Sequence, residues 1–287
     1  APDAAGALCT CPVEPEALAC ALDGLTAEGR TPFGVYLTSP DYLGFVQDIA
    51  GLSAVCHAHG VPLLVDNAHG AYLHFLKEGS RHPIQLGADL CCDSAHKTLP
   101  VLTGGAYLHL GPSVQADEAA VRNALALFGS TSPSYLIMAS LDACNSLLAG
   151  DYPKRIAEWA GNMDCLKRRL GSRGWKVPQS DPLRLTLRAP EKMTGVMLAQ
   201  RLREAGMECE YADGDHLVLM LTPENRAADI ERLVYAIGTN DAVYAPQPSL
   251  PLARGERVCS AREALFAPRE TIPAAQSLGR VCGAPTV

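Results

Sequence analysis

The chain has 287 residues, of which 48% are hydrophobic, so one large domain or two modest domains can bury a substantial core. The formal net charge is −7 and the lysines and arginines are scattered, which excludes the basic surface that nucleic acid or an anionic membrane requires. The longest apolar runs, such as residues 61–65, are far shorter than the ~20 residues that a membrane-spanning helix needs.

The cysteine content indicates the compartment. Eleven cysteines, an odd number in a chain without a signal-like start, favour a reducing environment over a disulfide framework. We therefore expect a cytoplasmic protein with no membrane partner.

The first part of the chain predicts strands that alternate with a helix. Residues 33–39 read as an apolar strand, and Pro40-Asp41 then open a helix that ends at Gly60. Two further apolar strands cover residues 61–65 and 88–92. Strands of this kind favour a parallel sheet covered on both faces, and the predicted fold class is α/β with a mostly parallel sheet flanked by helices. A further strand is predicted near the end of this part, over residues 104–110.

Helices dominate the next part, and a small α+β unit follows it. The predicted helices are 114–128, 133–148 with Ser132 as its cap, 152–170, 194–205 and 229–237; the predicted strands are 183–187 and 216–221. These elements divide the chain into a large domain over residues 1–150, a small α+β domain over 151–245, and an extended tail over 246–287 with a helical stretch at 261–266.

Polar residues with complementary chemistry follow two of the predicted strands. Ligands bind at the carboxyl ends of parallel strands, where Asp66 and Ser94 lie, with His69, His96 and Lys97 close in sequence. Pyridoxal 5'-phosphate requires a lysine amine for covalent attachment, a carboxylate for its ring nitrogen, and hydroxyl and imidazole groups for its phosphate. The small residue after the aspartate, Ala68, would let the ring lie flat against the strand end.

Each of these residues alone has an ordinary structural explanation. A lysine after a strand is usually solvated, Asp66 could cap a helix, and single histidines are more often hydrogen-bonded than catalytic. Ser94 and Lys97 also match the S-x-x-K pattern of serine acyl-enzymes, but its companion motifs are absent. The combination favours the cofactor.

A metal site is a second alternative. The residues weighed for it are His57, His59, His69, His74, Cys91 and Cys92, but neither H-E-x-x-H nor a C-x-x-C pair is present. From the sequence we expect no metal.

Several segments together resemble the major domain of the ornithine/lysine/arginine decarboxylases, which have the aspartate-aminotransferase fold and use pyridoxal phosphate. The segments that carry the resemblance are 38–44 (TSPDYLG), 65–71 (VDNAHGA), 93–100 (DSAHKTLP), 130–135 (STSPSY), 262–264 and 274–281. As an ordered set they are specific, although each alone is weak.

The resemblance implies a role for each matching residue. Lys97 would bind the cofactor covalently, Asp66 would pair with its ring nitrogen, and Ser94 and His96 would hold its phosphate. His69 would lie by the ring. Ser130 and Thr131 would contact a phosphate in the partner subunit, because family members are homodimers or larger with shared active sites.

The predicted function is decarboxylation of a basic amino acid, arginine, lysine or ornithine, to its amine, as in polyamine biosynthesis. The predicted catalytic residues are Lys97 and His69, either of which would return a proton to the product. The glycine-rich phosphate loop of the family does not precede Pro32, and its P-P-G-I-P segment does not follow. We therefore expect a fragment or a shortened relative, and the alternatives are an aminotransferase and a non-catalytic fragment.

Overall fold

A computed structural model describes residues 8, 10–77, 79–114, 118–129, 131–178, 181–190, 193–239, 259–268, 270, 272 and 276. The chain divides into two compact units, Ala1–Pro246 and Gln247–Val287. None of the helices in these ranges combines the length and the apolar character that crossing a membrane requires.

The first unit contains two sheets and most of the helices. Its elements are α1 (Pro15–Ala27), β1 (Val35–Thr38), α2 (Ile49–Ala58), β2 (Leu63–Asp66), β3 (Leu90–Asp93), α3 (Ala95–Thr98), β4 (Tyr107–Leu110), α4 (Glu118–Phe128), α5 (Tyr135–Leu148), α6 (Tyr152–Gly171), β5 (Arg184–Arg188), α7 (Gly195–Glu204), β6 (Tyr211–Ala212), β7 (His216–Met220) and α8 (Ala227–Ile237). Short 3-10 helices cover Ala71–Phe75 and Pro83–Leu86. The second unit contains α9 (Ala261–Phe266), which begins with a capping box between Ser260 and Glu263.

The first sheet has the strand order β1-β2-β3-β4. Strands β1, β2 and β3 are parallel, and β4 is antiparallel to β3, which confirms the mostly parallel sheet. The register pairs Thr38 with Asp66 and Asp66 with Cys92. The carboxyl ends of these three strands therefore meet at one edge of the sheet.

Helix α2 covers one face of this sheet. Apolar residues at helical spacing, Ile49, Leu52 and Cys56, pack against Leu63 and Val65 of β2. Side chains alternate between the two faces of a strand, so the residues of β2 next to Leu63 and Val65 point to the opposite face of the sheet.

The opposite face of the first sheet is open over the described residues. Tyr36 is 65% exposed, and Cys92, Leu108 and Leu110 are exposed as well. No described element covers this face, so its covering layer stays a prediction. Long apolar strands indicate burial but do not identify what covers them.

The second sheet, in the order β5-β7-β6, is antiparallel throughout. Leu185 and Leu217 are fully buried in a core that also contains Trp159 of α6 and Leu198 of α7. The predicted boundary after residue 150 falls between the two sheets, and it stays a prediction.

Several predicted helix limits were wrong. No helix begins at Pro40; instead Asp41 accepts a hydrogen bond from Phe45 N, and α2 begins after Asp48, whose side chain caps Gly51 N. Helix α5 begins after Ser134 rather than at Pro133. Helix α1 was not predicted.

Candidate active site

Two neighbouring strands bring the predicted site residues to one edge of the first sheet. Asp66 is the last residue of β2, and Ser94 follows β3 directly. The single turn of α3 begins after Ser94 and carries His96 and Lys97. The parallel pairing of β2 and β3, which two short 3-10 helices connect, thus produces the juxtaposition predicted from the order of these residues.

Lys97 and His69 are in direct contact. The Lys97 Nζ atom lies 3.2 Å from His69 Nε2, and the His69 ring makes an edge contact with the ring of Tyr42. Burial, followed by the positive charges of Arg184 and Lys97, lowers the pKa of His69 to about 3. The imidazole is therefore neutral at physiological pH and can accept a hydrogen bond from the Lys97 ammonium group.

The carboxylate of Asp66 has different neighbours. Its Oδ2 accepts a hydrogen bond of 3.1 Å from the Tyr36 hydroxyl, and its Oδ1 accepts one of 3.0 Å from Ala68 N. Burial and then the negative charge of Asp66 raise the pKa of Tyr36. Tyr36 comes from β1 and belongs to no motif, so it was not among the predicted site residues.

Ser94 and His96, the two predicted phosphate ligands, differ in the hydrogen bonds that they already make. The Ser94 hydroxyl makes no capping hydrogen bond to α3, so it is free of that role. His96 donates from Nδ1 to the carbonyl oxygen of Gly105 at 2.9 Å, which joins α3 to the turn before β4. Its Nε2 atom is the ring nitrogen that remains for a ligand.

The two residues predicted to reach a partner subunit lie before α5. Thr131 is exposed, and Ser130 lies outside the described residues. Their role in a shared site stays a prediction.

Lys97 and His69 line a small cavity whose far wall belongs to the second sheet. Its volume is about 20 Å³, and Asp181, Leu183 and Arg184 form part of the wall. This volume holds about one or two water molecules. Asp66 does not line this cavity, and the cavity is too small to hold a cofactor ring.

Arg184 and Asp181 connect this wall to the first sheet. Arg184 donates from Nη1 to the carbonyl oxygens of Asp41 and Tyr42, at 2.6 and 2.9 Å. The Asp181 carboxylate accepts from the Tyr72 hydroxyl and from two backbone N–H groups. The sequence signal for Arg184 was present, since it follows Leu183 at the start of an apolar strand where a charge is unusual.

The residues at this edge fit pyridoxal phosphate. An amine and a carboxylate come from the ends of adjacent parallel strands, and a hydroxyl without a capping role lies beside the amine. In addition, the buried Nδ1 of His69 has no hydrogen-bond partner among the described residues. A buried polar atom without a partner is costly, and a ligand is one way to satisfy it.

Comparison with known proteins supports this interpretation. The family model "Orn/Lys/Arg decarboxylase, major domain" matches residues 12–174, more than half of the chain. Among curated proteins, YaaO of Bacillus subtilis, which is uncharacterized, is 37% identical over 205 residues, covering 66% of this chain and 41% of YaaO. The arginine decarboxylase of Bacillus subtilis is 29% identical over 273 residues, covering 86% of this chain and 55% of the enzyme.

Solved structures show the same fold. The constitutive lysine decarboxylase of E. coli matches with a TM-score of 0.62 at 18% identity, over 75% of this chain and 38% of that chain. The pyridoxamine-pyruvate aminotransferase of Mesorhizobium loti matches with a TM-score of 0.62 at 18% identity, over 79% of this chain and 63% of that chain. The chain spans about half the length of the curated relatives it matches.

Proposed function

Because the chain belongs to the Orn/Lys/Arg decarboxylase family, we propose that it removes the carboxyl group of a basic amino acid, arginine, lysine or ornithine, to give the amine. The cofactor of this family is pyridoxal 5'-phosphate, which when bound takes up the electron pair left by carbon dioxide. The observation that carries the proposal is the 3.2 Å contact between Lys97 and His69 at the edge where Asp66 ends β2.

Lys97 would have two roles. Its amine would attach the cofactor, and its ammonium group would then donate the proton that replaces the carboxyl group. The pKa of His69 is about 3, so its imidazole ring is neutral near neutral pH and does not carry the second ring proton that an imidazolium would donate. We therefore assign the proton donation to Lys97. His69 would position the amine by accepting its hydrogen bond at Nε2.

Asp66 would pair with the protonated ring nitrogen. Its present partner, the Tyr36 hydroxyl, is neutral and largely exposed, and a charged donor makes a stronger hydrogen bond to a carboxylate. Ser94 and His96 would bind the phosphate, and Ala68 would contact the ring. These assignments rest on the matching motif positions and on the strand ends that carry them.

We extend the proposal to the setting of the reaction. The buried cysteines Cys56, Cys91 and Cys144 are free thiols, which supports a reducing compartment such as the cytoplasm, and the amine product would enter polyamine biosynthesis. A homodimer is part of the proposal, since helices α4 and α5 expose apolar side chains. The alternatives of an aminotransferase and a non-catalytic fragment remain, because the solved structures that match include aminotransferases.

Borohydride reduction tests the cofactor role of Lys97. The full chain would be incubated with pyridoxal phosphate, reduced and digested, and the labelled peptide identified by mass spectrometry. We expect the label on Lys97, its loss in Lys97→Arg, and no change in the matched control Lys77→Arg, which alters an exposed lysine. A label spread over exposed lysines, or none, would favour the non-catalytic alternative.

The products distinguish the two enzyme classes. Labelled arginine, lysine and ornithine would be supplied in turn, with carbon dioxide and keto acid both measured. We expect carbon dioxide from one of them and no keto acid. Keto acid without carbon dioxide would show an aminotransferase instead.

A further inference from the structure

A second group of polar side chains lies on the face of β3 opposite to Cys92. It consists of His82, Cys91, Asp93 and His109, and we call it the β3 cluster. Three of its members are buried, and Asp93 is only 3% exposed, whereas the His109 side chain is 37% exposed. The cluster is therefore built into the core with one side open to solvent.

The donor atoms of the β3 cluster converge. The Nε2 atoms of His82 and His109 each lie 3.0 Å from Asp93 Oδ2, and the three ligand atoms lie within 4.8 Å of one another. The Cys91 Sγ atom lies 3.9 Å from His82 Nε2 and 3.4 Å from Asp93 Oδ1. The two imidazole rings are nearly perpendicular, at 79°, so their nitrogens approach the carboxylate from different directions.

These separations approach those of a four-coordinate metal site. With bond lengths of about 2.0–2.1 Å to nitrogen and oxygen and 2.3 Å to sulfur, tetrahedral ligand atoms lie roughly 3.3–3.6 Å apart. The nitrogen-to-oxygen distances in the β3 cluster are shorter than this by about 0.3 Å and the nitrogen-to-sulfur distance is longer by about the same amount. The group whose ligand atoms lie within 4.8 Å of one another consists of His82, Asp93 and His109. The Cys91 sulfur lies outside that group, so its side chain must move further than the other three to complete the site.

We propose that the β3 cluster binds a zinc-class divalent cation through His82 Nε2, His109 Nε2, the Asp93 carboxylate and the Cys91 sulfur. Imidazole, carboxylate and thiolate donors in a tetrahedral arrangement are the set that Zn²⁺ prefers. This site differs from the residues weighed from the sequence, because His82 and His109 come from separate segments that only the fold brings to β3.

One hydrogen bond of the β3 cluster would support metal binding, and another would be lost. Asn67 donates from Nδ2 to Asp93 Oδ1 at 2.7 Å and would orient the carboxylate as an outer-shell partner. In contrast, His82 Nδ1 accepts a long hydrogen bond of 3.3 Å from Ile84 N. Binding at Nε2 requires the proton on Nδ1, so this weak hydrogen bond would be lost.

Binding also changes the protonation of Cys91. Burial is the first cause of a pKa raised well above the usual thiol value, so without metal the sulfur carries its proton. On binding, the S–H bond breaks, the metal–sulfur bond forms, and the proton passes to solvent through the open side at His109. No oxidant or reductant is involved.

The metal would stabilise the strand that leads to Ser94. It would link β3 to β4 and to the 3-10 helix Pro83–Leu86, which His82 precedes. We expect zinc at a hundredfold excess over its Kd to raise the melting temperature by about 5–10 °C.

Cobalt titration of the full chain tests the site without any cofactor. The chelator-treated protein would be titrated with CoCl2 and followed by absorption. We expect one equivalent to bind, with the intense visible bands of four-coordinate cobalt and a near-ultraviolet thiolate charge-transfer band, and ZnCl2 to remove both. Absence of binding at one equivalent would show that the cluster is hydrogen-bonded only and would overturn the proposal.

Single substitutions locate the ligands. His109→Ala alters a partly exposed side chain and should weaken cobalt binding at least tenfold, and Cys91→Ala should remove the charge-transfer band. The matched controls Cys92→Ala and His74→Ala alter exposed residues outside the cluster and should bind like the wild type. Equal binding by wild type and His109→Ala, or a charge-transfer band that persists in Cys91→Ala, would refute this ligand set.

Discussion

The buried imidazole of His69 makes the stability of the protein depend on pH. Its pKa is about 3 in the folded chain against roughly 6.5 in an unfolded chain, so the unfolded state binds a proton first as pH falls. Stability is therefore present above pH 6.5 and is lost as pH falls below it, by about 1.4 kcal/mol per pH unit. Between pH 6.5 and 4.5 this single residue should lower the free energy of unfolding by about 2–3 kcal/mol.

Urea denaturation of His69→Asn at the two pH values measures this contribution. Between pH 6.5 and 4.5 we expect the free energy of unfolding of the variant to fall by about 2–3 kcal/mol less than that of the wild type. The control His74→Asn, at an exposed position, should behave like the wild type. The buried carboxylates Asp93 and Asp213 have lowered pKa values, so the stability they contribute is lost only below about pH 4. Identical pH dependence in wild type and variant would contradict the low pKa of His69.

At the residue scale, the sequence predicted the amine and the carboxylate but not their immediate partners. Lys97 and His69 were identified from neighbouring motifs, and the structure brings them into contact. Tyr36, Asp181 and Arg184 were missed because each reaches the site through tertiary packing from another strand. Local sequence contains no signal for the contacts of Tyr36 and Asp181, whereas Arg184 has one, a charge at the start of an apolar strand.

The hydrogen bond between Tyr72 and Asp181 joins two elements. The Tyr72 hydroxyl, in the 3-10 helix after β2, donates to the Asp181 carboxylate just before β5, and both residues are 1% exposed. Tyr72→Phe would leave this buried carboxylate with one donor fewer, so we expect a loss of about 1–3 kcal/mol in the free energy of unfolding. Chemical denaturation would measure it.

The matched control for this substitution is Tyr235→Phe. Its ring is 87% exposed, so removal of the hydroxyl should change stability by less than about 0.5 kcal/mol. Equal effects of the two substitutions would show that the Tyr72 hydroxyl does not stabilise the junction.

At the element scale, most predicted limits of strands and helices lie within a few residues of the observed ones. The limits of the four strands of the first sheet lie within three residues of the predicted ones, because short apolar runs between turn residues are distinctive. The start of α2 was placed too early because Pro40-Asp41 resembles a cap, whereas the side chain of Asp41 closes a turn with Phe45. The direction of β4 could not be predicted, since periodicity alone does not distinguish parallel from antiparallel pairing.

The exposed apolar surface of the whole molecule predicts self-association. Helix α4 has no buried residue among those described. The large apolar side chains exposed on α4 and α5 are Leu125, Leu127, Phe128, Tyr135, Leu136, Met138 and Leu147. Apolar patches of this kind mark interaction surfaces. We expect the chain to form dimers or larger assemblies, as the family resemblance also implies.

Light scattering coupled to size-exclusion chromatography measures this association. Leu136→Asp places a charge on a residue that is 75% exposed, so it should weaken the dimer at least tenfold without unfolding the monomer. Val196→Asp, on an exposed apolar residue of α7, is the matched control and should leave the assembly unchanged. A monomeric wild type would contradict the predicted association.

The fold class could be predicted because the strand and helix patterns of both sheets are regular. The exposure of one face of the first sheet could not be predicted. The sequence of a strand indicates that the strand is apolar but does not indicate which element covers it. The order of the four strands follows the order of the chain, which is the simplest arrangement for short connections.

The division of the cavity between two sheets has an evolutionary consequence. Lys97 and His69 come from one continuous stretch around β2 and β3, whereas Arg184 and Met220 come from β5 and β7. The two sides of the cavity are thus encoded by separate parts of the gene. Recombination or drift in the later part would alter the shape of the cavity while Lys97 and His69 are inherited unchanged.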